Sequence, residues 1–116
     1  MKMNNRIVFG LLVLSATLFL ASCQIQPNPL VGTWADNQGN TLILLADNTF
    51  RAEITSVGKL DKIEGNYNVL LNVITFITNS GHQRVSEWDI RGNILYITWT
   101  DDAKNSIHLT LYKIRN

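Results

Sequence analysis

The 116-residue sequence predicts an all-β domain of eight short antiparallel strands behind a cleaved signal peptide. Three observations carry that reading. From Leu30 onward, runs rich in Ile, Leu, Val, Thr, Tyr, Phe and Trp alternate with clusters of Asn, Asp and Gly about every 8 to 12 residues, the spacing of a sandwich or a barrel. Within those runs apolar and polar residues alternate with the period of two that a half-buried strand needs. No stretch after Leu30 shows a helical period.

The signal comes first. Lys2 and Arg6 form a basic start, an apolar run extends from Ile7 to Leu20, and the small residues Ala21 and Ser22 close it. Spanning about 30 Å of hydrocarbon takes roughly 20 apolar residues at about 1.5 Å each, so this run is short for a permanent anchor and is expected to be removed. Residues 1–22 are therefore a signal peptide, 23–29 a tether and 30–116 the folded domain. The tether is polar and holds Pro27 and Pro29, which remove backbone donors and favour extended chain.

The strands are predicted over residues 32–35, 41–46, 49–56, 62–70, 73–78, 83–90, 94–100 and 106–114. Between them stand Asp36-Asn37-Gln38-Gly39-Asn40, Asp47-Asn48, Asn79-Ser80-Gly81, Arg91-Gly92-Asn93 and Asp101-Asp102, residues that tolerate positive φ or bond their own backbone. Connections this short pair each strand with its sequence neighbour and make an antiparallel meander. Alternation places Phe50, Ala52 and Ile54 on the core face against Arg51, Glu53 and Thr55. It also turns Tyr67, Val69, Trp88, Ile90, Leu95, Ile97, Trp99, Ile107, Leu109 and Leu111 inward. Residues 42–45 and 73–77 are apolar on both faces, so their outer faces are either covered or part of a contact surface.

Composition excludes several functions. Removing 22 residues from 116 leaves 94, one domain's worth. The full chain carries a formal charge of +1, which falls to −1 once Lys2 and Arg6 leave with the signal. The remaining Lys and Arg are scattered singly, as on solvated outer strand faces, and form no nucleic-acid footprint. Cys23 is the only cysteine, so the mature chain has no disulfide, no thiol catalyst and no cysteine-ligated metal once that residue is modified.

The string Leu20-Ala21-Ser22-Cys23 resembles the lipobox of bacterial lipoproteins at all four positions. The resemblance implies cleavage between Ser22 and Cys23, lipidation of Cys23 by palmitate-type acyl chains, and attachment of the mature protein to a membrane. Two or three acyl chains make such an anchor close to permanent. Gln24 stands where an aspartate would direct inner-membrane retention, so the same resemblance implies the outer membrane.

A second resemblance rests on Leu30-Val31-Gly32-Thr33-Trp34, Asp47-Asn48-Thr49-Phe50, Gly65-Asn66-Tyr67-Asn68-Val69, Ile74-Thr75-Phe76 and Gly92-Asn93-Ile94-Leu95-Tyr96. Together these resemble the small lipocalin-like lipoproteins of bacteria and imply a compact eight-stranded up-and-down β-barrel. In lipocalins a Gly-x-Trp tryptophan packs across the barrel base against a basic residue of the last strand. Here that implies Trp34 with Lys113 or Arg115 as a cation–π partner. Ligand-carrying lipocalins have in addition a lid loop and a helix after the barrel, which this sequence does not match. An eight-stranded barrel is just wide enough to be filled by side chains or to hold one small ligand. Trp34, Tyr67, Trp88 and Trp99 are accordingly core or ligand-lining residues, with core the expected role.

No catalytic motif is present: no Gly-x-Ser-x-Gly, no His-Glu-x-x-His, no phosphate-binding glycine loop, no EF-hand. His82 and His108 are expected on the surface, and Asp101-Asp102 and Asp36 to Asn40 as turns rather than cation loops. No cofactor or metal is expected. The sequence therefore points to a membrane-anchored, non-enzymatic binding module that presents its loops and one outer face to a protein, a peptide or a small amphiphile. The alternatives are a carrier of a small hydrophobic ligand and an inhibitor of an envelope hydrolase.

Overall fold

The computed structural model describes residues 28–116; the segment read as a signal peptide, the Ser22–Cys23 junction and most of the expected tether lie outside the described residues. Eight strands follow in order: β1 (Gly32–Ala35), β2 (Thr41–Leu44), β3 (Thr49–Ser56), β4 (Lys59–Leu70), β5 (Val73–Thr78), β6 (Gln83–Arg91), β7 (Ile94–Thr100) and β8 (Ser106–Arg115). Each pairs antiparallel with the next, and β8 returns to β1, so the sheet closes into an up-and-down barrel. Closure removes the sheet edges and settles the choice between sandwich and barrel.

Four strands occupy their predicted ranges, and β6 and β8 each run one residue further. β2 stops two residues early because the Leu45 amide donates to the Thr49 carbonyl and Asp47 caps Thr49, starting the turn at once. β4 starts three residues early. Its turn is Val57-Gly58, with φ of 53° and 75°, the two positive angles of a tight hairpin. A β-branched residue is a poor advertisement for such a turn, which is why the sequence signal is weak there.

Phe50, Ala52, Ile54, Tyr67, Ile74, Phe76, Leu95, Ile97, Trp99, Leu109 and Leu111 form the core with Leu30, Trp34, Leu42 and Leu44, and Trp88, Ile90 and Ile107 pack against it half-buried. Val69 departs from expectation and is 37% exposed. β3 pairs no further along β4 than Asn66, so this part of β4 has lost its neighbour on one side. In the two doubly apolar strands, the inner residues Leu42, Leu44, Ile74 and Phe76 are buried, while Ile43, Val73 and Ile77 are half-buried on the outer face.

Two glycines admit close backbone approach, one of them at the closing seam. At Gly32 a Cβ would lie 2.6 Å from the Arg115 carbonyl oxygen, so only glycine lets β1 approach β8 beside the register shift between Thr33 and Trp34. At Gly65 a Cβ would lie 2.0 Å from the Ile77 carbonyl oxygen. β5 ends opposite this glycine, at Thr78, and β4 continues past it paired with β3 alone.

The strand order gives the barrel two unlike ends. The stem end holds Leu30, the turns at 45–48, 71–72 and 92–93, and the end of β8. The loop end holds the connections 36–40, 57–58, 79–82 and 101–105. At the stem end the Trp34 indole NH donates to the Leu30 carbonyl at 2.8 Å, and Lys113 Nζ sits 5.5 Å from the Trp34 ring centroid. Of the two cations the resemblance allowed, Lys113 is the one over the ring. Inside, Phe50 meets Phe76 at 4.9 Å between centroids and Phe76 meets Trp99 at 5.2 Å, an aromatic column along the barrel.

Candidate functional site

Three loop-end connections close in the same way. Asp36, Thr78 and Asp101 each donate a backbone NH to the carbonyl four residues on, at Asn40, His82 and Asn105. A side-chain oxygen of each then accepts the returning amide, at 3.0 Å for Asn40, 3.1 Å for His82 and 2.8 Å for Asn105. Short oxygen-bearing side chains suit this because they mimic a further turn of backbone. Asn40 also accepts the Thr55 amide at 2.8 Å and so ties its loop to β3. The carboxyls of Asp36 and Asp101 are thus engaged in turns, the role expected of both segments. Burial pushes the Asp36 carboxyl up, but hydrogen bonds from Asn40 and Gln38 outweigh it and hold the pKa below the ordinary value.

Rigid loops of this kind frame a charged cluster at the barrel mouth. Arg84 on β6 is 8% exposed and points inward, in the same row as Ser86 and Trp88. Its guanidinium donates to Asp61 Oδ2 at 2.5 Å and to Asp102 Oδ1 at 2.9 Å, and lies 5.2 Å from the Trp99 ring centroid. The Trp99 indole NH donates to the same Asp61 oxygen at 3.0 Å. Asp61 stands on the part of β4 beyond Gly65, so the β3–β4 hairpin reaches across the mouth to β6 and β7. His82 Nδ1 lies 3.4 Å from Asp102 on the solvent side. The Arg84 hydrogen bond holds the Asp102 carboxyl below its ordinary pKa, with smaller help from His82.

Arg84 departs from the expectation that the scattered Lys and Arg lie on solvated outer strand faces. Inside the mouth an unpaired guanidinium would be costly, and two carboxylates and an indole ring meet that cost. Arg84 Nε and the buried Ser56 hydroxyl have no hydrogen-bond partner among the described residues. Beside the cluster an open depression of about 640 Å³ is lined by His82, Arg84, Thr100, Asp102 and Lys104, among others. Donors, acceptors and both signs of charge are offered there on stiff turns, an arrangement suited to recognising a polar surface.

The residues singled out from the sequence are not gathered in one place. Trp34 plugs the stem end, Trp99 belongs to the loop-end cluster, and the Tyr67 hydroxyl donates to the Leu45 carbonyl at 2.8 Å. All three are buried, and burial followed by the Asp47 charge raises the Tyr67 pKa. Trp88 is half-buried, and its indole NH has no partner among the described residues. His108 hydrogen-bonds Thr98 at 3.0 Å, on strands β8 and β7. Ser22 and Cys23 lie outside the described residues. Among the described residues no group of three or more His, Cys, Asp or Glu is placed to hold a metal ion. Arg84 and Asp61 were missed, although the parity that turns Trp88 and Ile90 inward turns Arg84 inward as well. In comparisons with known proteins, the chain matches no family model, no curated protein and no solved structure.

Proposed function

We propose that this protein is a lipoprotein of the bacterial cell envelope, anchored through lipid on Cys23, that acts as a non-enzymatic binding module for a protein or peptide partner. The observation that carries the reading is the opposition of the two ends. The chain enters the barrel at the stem end, where β1 begins nine residues after Cys23, while the braced loops and the Arg84 cluster stand at the other end. An anchor on Cys23 therefore leaves the loop end facing away from the membrane. The aromatic column through the interior supports a binding surface over a carrier, because Phe50, Phe76 and Trp99 occupy the space a ligand would take. By the Gln24 resemblance, the membrane is the outer one.

The loop end also carries the Val57-Gly58 hairpin tip, with Val57 75% and Leu60 62% exposed. Apolar side chains next to a polar depression make the mixed surface typical of protein contacts. Two measurements test the reading. Incorporation of labelled palmitate should be abolished by Cys23→Ser. A photo-crosslinking residue in place of Ala103 should capture a discrete envelope partner in living cells, and the same residue in place of Thr110, on the barrel wall, should not. Palmitate incorporation with no crosslink at Ala103, together with a copurifying apolar ligand in native mass spectrometry, would replace the binding module with a carrier.

A further inference from the structure

The β4–β5 turn sets two leucines outside the fold. Leu70 is 76% and Leu71 84% exposed. Leu71 has a φ of 54°, a left-handed conformation that costs free energy in any residue with a Cβ and that glycine or asparagine would adopt more readily. Neither side chain contributes to the core, and Val69 before them is 37% exposed. A strained turn that holds two large apolar residues in water needs an occupant for its surface.

The position of the turn selects that occupant. Residues 71–72 lie at the stem end, where the chain enters the barrel. From Cys23 to Asn28, the first described residue, there are five residue steps, which reach at most about 18 Å when fully extended. A lipid on Cys23 thus holds the stem end close to the bilayer surface, and the two leucines are the most exposed large apolar groups there, ahead of Ile114 at 60% and Leu45 at 45%. Of the stem-end cations, Arg91 pairs with Asp89 at 3.1 Å and Lys113 is engaged over Trp34, while Arg115 is exposed at the end of β8. The other apolar tip, Val57-Gly58, is at the opposite end of the barrel.

We infer that Leu70 and Leu71 form a bilayer-contacting wedge that seats the anchored barrel on the membrane, stem end down, by inserting into the boundary between headgroups and acyl chains. The inference rests on the lipid-anchor reading above. It adds a second attachment point and fixes the orientation in which the loop end is displayed. Because the contact is apolar, it requires no anionic lipid.

The test uses the full chain, expressed so that its signal is processed, and reconstituted in phosphatidylcholine vesicles. An environment-sensitive fluorophore is placed through Asn72→Cys, which leaves both leucines intact, or through Ala103→Cys at the loop end as a reference. Spin-labelled lipid quenching at shallow depth should lower the emission at position 72 by about two-fold and leave position 103 unchanged, as insertion of about 5 to 10 Å requires. Adding Leu70→Ser and Leu71→Ser should remove the quenching while the protein still floats with the vesicles. Flotation and palmitate incorporation without quenching at position 72 would overturn the wedge and leave the anchor standing, with a protein partner as the occupant of the leucines. Loss of flotation and of palmitate incorporation would overturn both.

Discussion

At the stem end of the barrel the interior is closed by Leu30 and Trp34, with Lys113 laid on the indole ring; at the loop end it is closed by Arg84, whose side chain is 7% exposed between Asp61, Asp102 and Trp99. The first closure is apolar with a cation at its rim, the second ionic with an indole at its base. An apolar plug gains free energy from every square ångström removed from water. An ionic latch recovers the desolvation of its charges only while all partners stay in place. The stem end is therefore the mechanically secure end, and the loop end is the end that pH and partner contacts can disturb.

Trp34→Ala tests the secure end and should have the largest effect. Loss of a buried tryptophan costs about 4 kcal/mol, read as a lower denaturant midpoint with unchanged cooperativity. Arg84→Ala tests the latch. It should cost less, about 2 kcal/mol, because Asp61 and Asp102 are 22% and 60% exposed and partly regain water. The two ends share no partner, so the double variant should lose the sum of the two within about 0.5 kcal/mol, whereas Arg84→Ala combined with Asp61→Ala should lose clearly less than the sum. Strict additivity in the second pair would show that Arg84 and Asp61 do not form a unit.

Acid should act on the loop end. Asp36 and Asp102 have pKa values lowered from 3.8, so their contribution to stability is complete above that pH and is lost as pH falls through the lower folded values. The melting temperature should drop below about pH 4, and Arg84→Ala should flatten the drop because it frees Asp102. A variant with an unchanged acid slope would dissociate Asp102 from the latch. At the stem end the raised Tyr67 pKa acts in the opposite direction: its contribution is complete below pH 10.0 and is lost as pH rises through the higher folded value. The smallest effect is at the two strained tips. Val57→Gly and Leu71→Gly should each raise stability by about 0.5 kcal/mol, since glycine relieves the positive φ at some cost in chain entropy. A loss at either site would mean that the exposed side chain makes a contact needed for folding.

Much of this was legible in the sequence. The alternation of Phe50, Ala52 and Ile54 with Arg51, Glu53 and Thr55 is local information, and so are the oxygen-bearing turn residues Asp36, Asp47 and Asp101. Four strands consequently lie where the pattern puts them. The start of β4 was less legible, because Val57 occupies a turn position through positive φ and carries none of the residue types that mark a turn. Val69 was misplaced because period two gives the face of a strand and not the point where its neighbour ends. Arg84 and Asp61 stand 23 residues apart, on strands that are not neighbours, and nothing local to either shows that they meet.

The sequence by itself determined the all-β class, most of the strands, the turns and the inward rows, because each follows from interactions within about ten residues of chain. Tertiary structure decided closure into a barrel, where Gly32 and Gly65 admit close backbone approach, and it decided which side chains fill each end. Those outcomes depend on distances between strands far apart in sequence. The inward charge of Arg84 becomes tolerable only when Asp61, Asp102 and Trp99 arrive from three other elements, and that meeting exists only once the barrel has closed.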